Sequence, residues 1–159
     1  MDWFVKAFLK SSLGWLALGV TLGGAMAIQP GWIVYRPVHV HMNLLGFVTM
    51  MIYGVAYHVI PRFTGHPLHS RRLAGVQWWL ANIGLAIMAV GFAMRARGGL
   101  DVATAVLGVG GVMSAAAAYG FVYNLWRTID GPRPAHRLPA ASDTVVSIAS
   151  RRSASPLHR

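Results

Sequence analysis

Cysteine and glutamate are both missing from this 159-residue chain, and only 11% of its residues are charged. Without cysteine there is no disulfide, no thiolate metal site and no covalent c-type haem, which needs Cys-x-x-Cys-His. The acids are Asp2, Asp101, Asp130 and Asp143, and none falls inside an apolar run. Proton-conducting membrane enzymes usually place carboxylates at membrane depth, and nothing here meets that pattern.

A soluble domain carries about a quarter charged residues. Here 55% of the chain is hydrophobic and the mean hydropathy is +0.51, more apolar surface than one small core can bury. Lipid must take the surplus. The formal net charge of +10 does not signal nucleic acid. Arg and Lys gather at the ends of apolar runs and towards the C-terminus, a placement that membrane topology produces. The first apolar run lacks a small-x-small cleavage site and further runs follow it, so it reads as a span and not as a cleaved signal.

Four apolar runs, at about residues 8–28, 39–60, 74–94 and 102–126, reach the roughly 20 residues that a helix needs to cross the hydrocarbon. Breakers or charges bound them: Gln29-Pro30-Gly31, Pro61-Arg62 and residues 95–99. Trp15, Trp32, Trp78, Trp79 and Trp126 mostly fall near run ends, at headgroup depth. The expected fold is an all-α membrane protein, a four-helix transmembrane bundle over residues 1–129. Lys6, Lys10, Arg62, Arg71, Arg72 and Arg127 share one side with the arginines of the last segment, against Arg36, Arg95 and Arg97 on the other. The bias puts both termini in the cytoplasm of a bacterial inner membrane. Residues 130–159, rich in Pro, Ser, Ala and Arg, are expected to form a disordered basic cytoplasmic tail that can lie on anionic lipid.

The chemistry rests with histidine. His39 and His41 open the second run, and residues two apart on a helix are about 200° apart. Their rings project from nearly opposite faces at similar depth, so they do not grip one ion between them. Each can offer an imidazole to its own flat cofactor, which suits haem iron. The plain alternative is that they cap the outer helix end and bond to loop carbonyls or water. His58 lies 17 residues after His41, about 25 Å along the axis, at the inner edge. His58, His66 and His69 as a metal site would lack a helping carboxylate, so interfacial solvation is the default there. Met42, Met50, Met51, Met88, Met94 and Met113 suit adaptable packing better than thioether ligation. Tyr53, Tyr57, Tyr119 and Tyr123 suit either a pocket lining or packing. Small residues at Gly19 and Gly23, and at Gly111 and Ala115, allow close helix approach within or between chains.

The stretch His39-Val40-His41, then Gly46, then Tyr53-Gly54-Val55-Ala56-Tyr57-His58-Val59-Ile60-Pro61-Arg62-Phe63-Thr64-Gly65, resembles the haem-copper oxidase subunit I family. It is similar to that family's tenth helix and the loop after it, especially in cbb-type oxidases and nitric-oxide reductases. The resemblance implies His39 as ligand of a high-spin haem and His41 as ligand of a low-spin haem, with non-covalent haem b as the cofactor. Arg36, a fixed cation beside the pair, is the candidate propionate partner. The likeness is strong over residues 38–65 and general elsewhere, as four helices matching the ninth to twelfth. The family's second helix with its low-spin haem ligand, its three copper-binding histidines and its cross-linked tyrosine have no counterpart, so no copper is expected.

One such chain does not build an oxygen-reducing site, and four helices do not enclose two haems. The expectation is a membrane haem-b protein for electron transfer or for binding a diatomic gas (O2 or NO). It would act as a homodimer or within a larger respiratory complex, with lipid and not nucleic acid as its other partner. The rival expectation is a cofactor-free structural or assembly subunit of such a complex. A transporter is disfavoured, since intramembrane charges and paired broken helices are lacking.

Overall fold

A computed structural model of the chain describes residues 1–131. The expected tail falls, from residue 132 onward, outside the described residues. Among the described residues, four helical spans are long and apolar enough to cross a membrane: Trp3–Ile28, Pro30–Thr64, Arg71–Ala96 and Asp101–Ile129. Each outruns the run of hydropathy that announced it, because a helix needs no apolar residue to continue through the headgroup layer. At 26 residues the first span is about 39 Å long, against a hydrocarbon core of roughly 30 Å. Large apolar side chains such as Leu18, Val20, Leu44, Ile52, Val112 and Trp126 are exposed along the spans. That inversion of the soluble pattern is what lipid allows.

The ends follow local chemistry. Gln29 takes extended geometry ahead of Pro30 and stops the first span. Pro61 does not stop the second, as the sequence suggested; the helix runs through it to Thr64. A proline removes one donor from the ladder, while Gly65, at φ 72°, takes the left-handed conformation that ends a helix without strain. Ser70 caps the third span, its hydroxyl accepting from the Leu73 N–H at 3.2 Å.

The second span is not uniform. It opens as a 3-10 helix, Pro30–Tyr35, continues as α-helix over Arg36–His41, widens to a π-helix over Met42–Thr49, and closes as α-helix over Met50–Thr64. Within the π-helix, Gly46 lies against the first and third spans. A Cβ there would meet the Cβ of Trp15 at 2.5 Å and Leu85 at 3.0 Å.

Neighbouring spans pair as two antiparallel hairpins, the first with the second and the third with the fourth. The third and fourth meet at glycine. A Cβ on Gly110 would lie 2.7 Å from the Gly84 carbonyl oxygen, and one on Gly91 2.8 Å from Leu107. Gly111, which the small-residue pattern singled out, has open space around it. The hairpins join through aromatic rings at the N-terminal end of the first span. Phe4 and Phe8 pack on Tyr57, Phe8 on Tyr53, and Tyr53 lies 4.3 Å from Phe121 between centroids.

Beside these rings lies a buried polar cluster. The Tyr57 hydroxyl donates to the Gln77 carbonyl oxygen and accepts from the Asn124 amide at 3.3 Å. Asn124 also donates to the Ser70 carbonyl at 2.9 Å and accepts from the Ser70 N–H at 2.9 Å. The fourth span thereby holds the loop that joins the second to the third. Thr128 extends the hold, its hydroxyl donating to the Asn124 carbonyl at 2.7 Å and accepting from the His69 N–H at 3.0 Å.

Two outcomes follow for thermal unfolding in detergent. Gly110→Ala is expected to destabilise by about 1–3 kcal/mol through overpacking, while Gly111→Ala, with space to spare and better helix propensity, is neutral or stabilising by up to about 1 kcal/mol. Asn124→Leu leaves the Ser70 N–H unpaired and the Ser70 carbonyl with only the Ala74 N–H at 3.3 Å, and is expected to cost about 1–3 kcal/mol, with hydrogen exchange at the Ser70 amide accelerated well before exchange in the spans.

Candidate functional site

The α-helical segment Arg36–His41 sets out its side chains around the bundle in a simple order. Val38 is buried and faces the other spans, while Val40 is exposed on the far side. At about 100° per residue, His39 and His41 fall between these directions, one on each flank. His39 lies on the seam with the first span and His41 on the seam with the third. The opposite-face expectation from spacing is what the backbone delivers.

Each ring is fixed by a carbonyl. The His39 Nδ1 lies 2.8 Å from the carbonyl oxygen of Gly19 on the first span. The His41 Nδ1 lies 2.8 Å from the carbonyl oxygen of Pro37, one turn back on its own helix. A carbonyl only accepts, so each Nδ1 carries the proton and donates it. In a neutral imidazole, Nε2 is then the nitrogen with the free lone pair. Among the described residues neither Nε2 has a hydrogen-bond partner. Metal-ligating histidines are held in this manner, one nitrogen anchored to a backbone carbonyl and the other presented to the ion.

The first span is shaped for the His39 ring. A Cβ on Gly23 would sit 2.8 Å from its Cε1, and a Cβ on Gly19 would sit 2.6 Å from the Asn43 side-chain nitrogen. The Gly19 and Gly23 pair that the sequence marked for close approach therefore works inside the bundle, as a shelf for His39 and Asn43. Asn43 donates to the His39 carbonyl at 2.8 Å and stands 3.4 Å from the His39 Nδ1. The shorter contact to Gly19 decides the tautomer. On the other flank, Phe92 of the third span lies 4.6 Å from the His41 ring, tilted by 38°.

Arg36 is exposed one turn before the pair, at the N-terminal end of the segment. Across the same end, the Arg97 guanidinium donates to the Tyr35 hydroxyl at 3.3 Å, tying the loop after the third span to the start of the second.

The remaining histidines among the described residues do not come together. His58 accepts from Arg62 at 3.0 Å, His66 is buried against the fourth span, and His69 packs edge-on against Tyr123. Among the described residues no three His, Asp or Glu side chains form a group able to hold a free metal ion. Tyr53 and Tyr57 are core residues, and Tyr119 and Tyr123 face outward. Sequence reasoning passed over Asn43, Gln77, Asn82 and Asn124. Their signal was available, since an amide inside an apolar run must find a partner there. Asn82 accepts from the Trp15 indole at 3.1 Å, linking the first and third spans.

No family model matches the chain. Among curated proteins it is 28% identical over 169 aligned residues to the cbb3-type cytochrome c oxidase subunit CcoN1 of Stutzerimonas stutzeri, covering 86% of this chain and 35% of that protein. It is 33% identical over 102 residues to a cytochrome c oxidase subunit 1 of Thermus thermophilus, covering 57% of this chain and 93% of that sequence. A cytochrome c oxidase subunit 1 of Rhodobacter capsulatus is 30% identical over 115 residues, which is 22% of its length. The chain thus spans about a third of CcoN1. On the strength of the Thermus relative, matched over 93% of its sequence, this chain belongs to the cytochrome c oxidase subunit I family.

Proposed function

We propose that the chain is a membrane haem-b protein of electron transfer or diatomic-gas binding, with His39 and His41 as iron ligands. One observation carries the reading: both imidazoles are anchored through Nδ1 to main-chain carbonyls and present an unpaired Nε2. A haem needs one such nitrogen on an axial side, not a cluster of ligands, so the lack of a three-ligand group among the described residues does not count against it. Bound there, haem would supply a redox-active iron able to pass one electron or take a diatomic ligand. The chain's own part is to fix ring orientation and tautomer, and to place the Arg36 cation near the depth where propionates emerge.

The site needs a second wall. Surface pockets of about 490 and about 530 Å³ occur on the chain, but they are lined by residues around Trp15 and Tyr123, not by the histidine pair. The outward face between the two rings, with Val40, Leu44, Val48, Ile52 and Val55, is exposed and apolar. A second copy of the chain or a larger respiratory subunit against this face would complete the enclosure. The family's membership in oxidase complexes makes such a partner the natural one. A cofactor-free subunit of a respiratory complex is the alternative, and the same measurement separates the two.

Purified protein is expected to be red, with a Soret band and a reduced-minus-oxidised difference spectrum that the His39→Ala, His41→Ala double variant loses. A shift with carbon monoxide would mark an open iron position, and its absence a six-coordinate carrier. Colourless protein, isolated with its membrane partners and unchanged in assembly by the double variant, would replace the haem reading with the structural one.

Both termini are proposed to face the cytoplasm of a bacterial inner membrane. The natural absence of cysteine makes the test direct. In intact cells a membrane-impermeant maleimide is expected to label an Arg97→Cys variant and to spare Arg72→Cys. The opposite pattern would invert the topology.

A further inference from the structure

At the far end of the molecule from His39, the loop after the second span folds under the end of the fourth. His66, His69, Arg127 and Asp130 line a pocket there of about 330 Å³. His66 is only 6% exposed. Its Nδ1 lies 3.0 Å from the Thr128 carbonyl oxygen, so it donates there, and its Nε2 is shielded from solvent without a partner. A buried imidazole nitrogen left with a lone pair calls for a hydrogen-bond donor.

The charges around it are mixed, and among the described residues they are unpaired. Among the described residues the one ion pair is Arg71 with Asp2, so Arg127 and Asp130 do not neutralise each other. The carbonyl end of the fourth span adds partial negative charge beside Asp130. An inorganic anion would meet the Asp130 carboxylate, and a simple cation would meet Arg127. A zwitterion satisfies both: its anionic group on Arg127 and the His69 side, its N–H donors on Asp130 and His66. An apolar groove of about 350 Å³, lined by Val122, Leu125, Trp126 and Ile129, adjoins this pocket and shares Asp130 with it. A polar pocket that continues into an apolar groove along a membrane span has the outline of an amphiphile.

We propose that this pocket holds the headgroup of an amine-bearing phospholipid, phosphatidylethanolamine, with an acyl chain in the adjoining groove. The phosphodiester lies on Arg127 and the primary ammonium donates to Asp130 and His66. Phosphatidylcholine has no N–H to donate, and phosphatidylglycerol no cation.

The test uses the full chain in mixed micelles with equal mole fractions of palmitoyl-oleoyl phosphatidylethanolamine, phosphatidylcholine and phosphatidylglycerol. Retained lipid is counted by native mass spectrometry. The expected result is a preference for the ethanolamine lipid of roughly tenfold over the choline lipid, what one charge-assisted hydrogen bond is worth. Asp130→Asn and His66→Phe are expected to bring that ratio close to parity, and Arg127→Gln to weaken retention of all three lipids. Asp130 is exposed, so its variant folds even where a change at buried His66 does not, and Asp130→Asn alone then decides. Equal retention of the ethanolamine and choline lipids, or a preference that survives Asp130→Asn, overturns the proposal. Displacement by soluble phosphoethanolamine as effective as by lysophosphatidylethanolamine overturns it too, in favour of a free solute. The ratio is read whether or not the protein is coloured, so this proposal and the haem reading fail separately.

Discussion

The contact on which the site depends is a side chain of one span bonded to the main chain of another. Backbone carbonyls inside a membrane helix are already engaged with their own ladder and screened by neighbouring side chains. A second helix reaches one only where those side chains are missing. Gly19 and Gly23 leave that gap, and the His39 ring fills it, with Nδ1 on the Gly19 oxygen and Cε1 where a Cβ of residue 23 would be. Ring angle, tautomer and the distance between the first two spans are then one decision. No water is needed to set the proton on Nδ1, because the carbonyl admits no other arrangement.

His41 reaches the same tautomer by a different route. Its carbonyl belongs to Pro37, on its own helix, and its position is braced by Phe92 instead of by a glycine shelf. The π-helix begins directly after it, at Met42. Such widenings often accompany functional positions because they loosen the regular ladder and re-aim side chains. Here the widened stretch also carries Asn43 onto the first span and Gly46 against Trp15, so the histidine segment and the tightest packing of the second span share one irregularity.

The four spans were legible because hydropathy over about 20 residues depends on lipid and hardly on tertiary context. The opposing directions of His39 and His41 were legible for the same reason, being a property of one helix. What the sequence hid was relational. Pro61 reads as a stop, yet losing one ladder bond is tolerable and Gly65 supplies the real termination. Gly110 and Gly111 look alike in the chain, but only Gly110 meets a neighbour, at the Gly84 carbonyl. Asn124 gives no hint that its amide closes on Ser70, 54 residues away. The π-helix has no residue signature in this segment that would separate it from the α-helix on either side.

The two ends of the bundle treat their polar groups differently. At the end holding Asn124, Tyr57, Gln77, Asn124, Ser70 and Thr128 close a network that pins a loop, and the atoms it leaves over are the Gln77 side-chain nitrogen and the His66 Nε2, both buried without a partner. At the histidine end each ring spends one nitrogen on a carbonyl and keeps the other. Satisfying both would have needed another amide or hydroxyl at Nε2, whereas the Asn43 amide stands 3.4 Å from the Nδ1 that is already bonded. Instead Asn43 turns back to its own helix and the His39 Nε2 stays open. An unspent lone pair at the edge of a membrane is stable only if something meets it, whether water at the helix mouth or an iron held by a partner. That choice defines the difference between a relic of the oxidase fold and a working haem site.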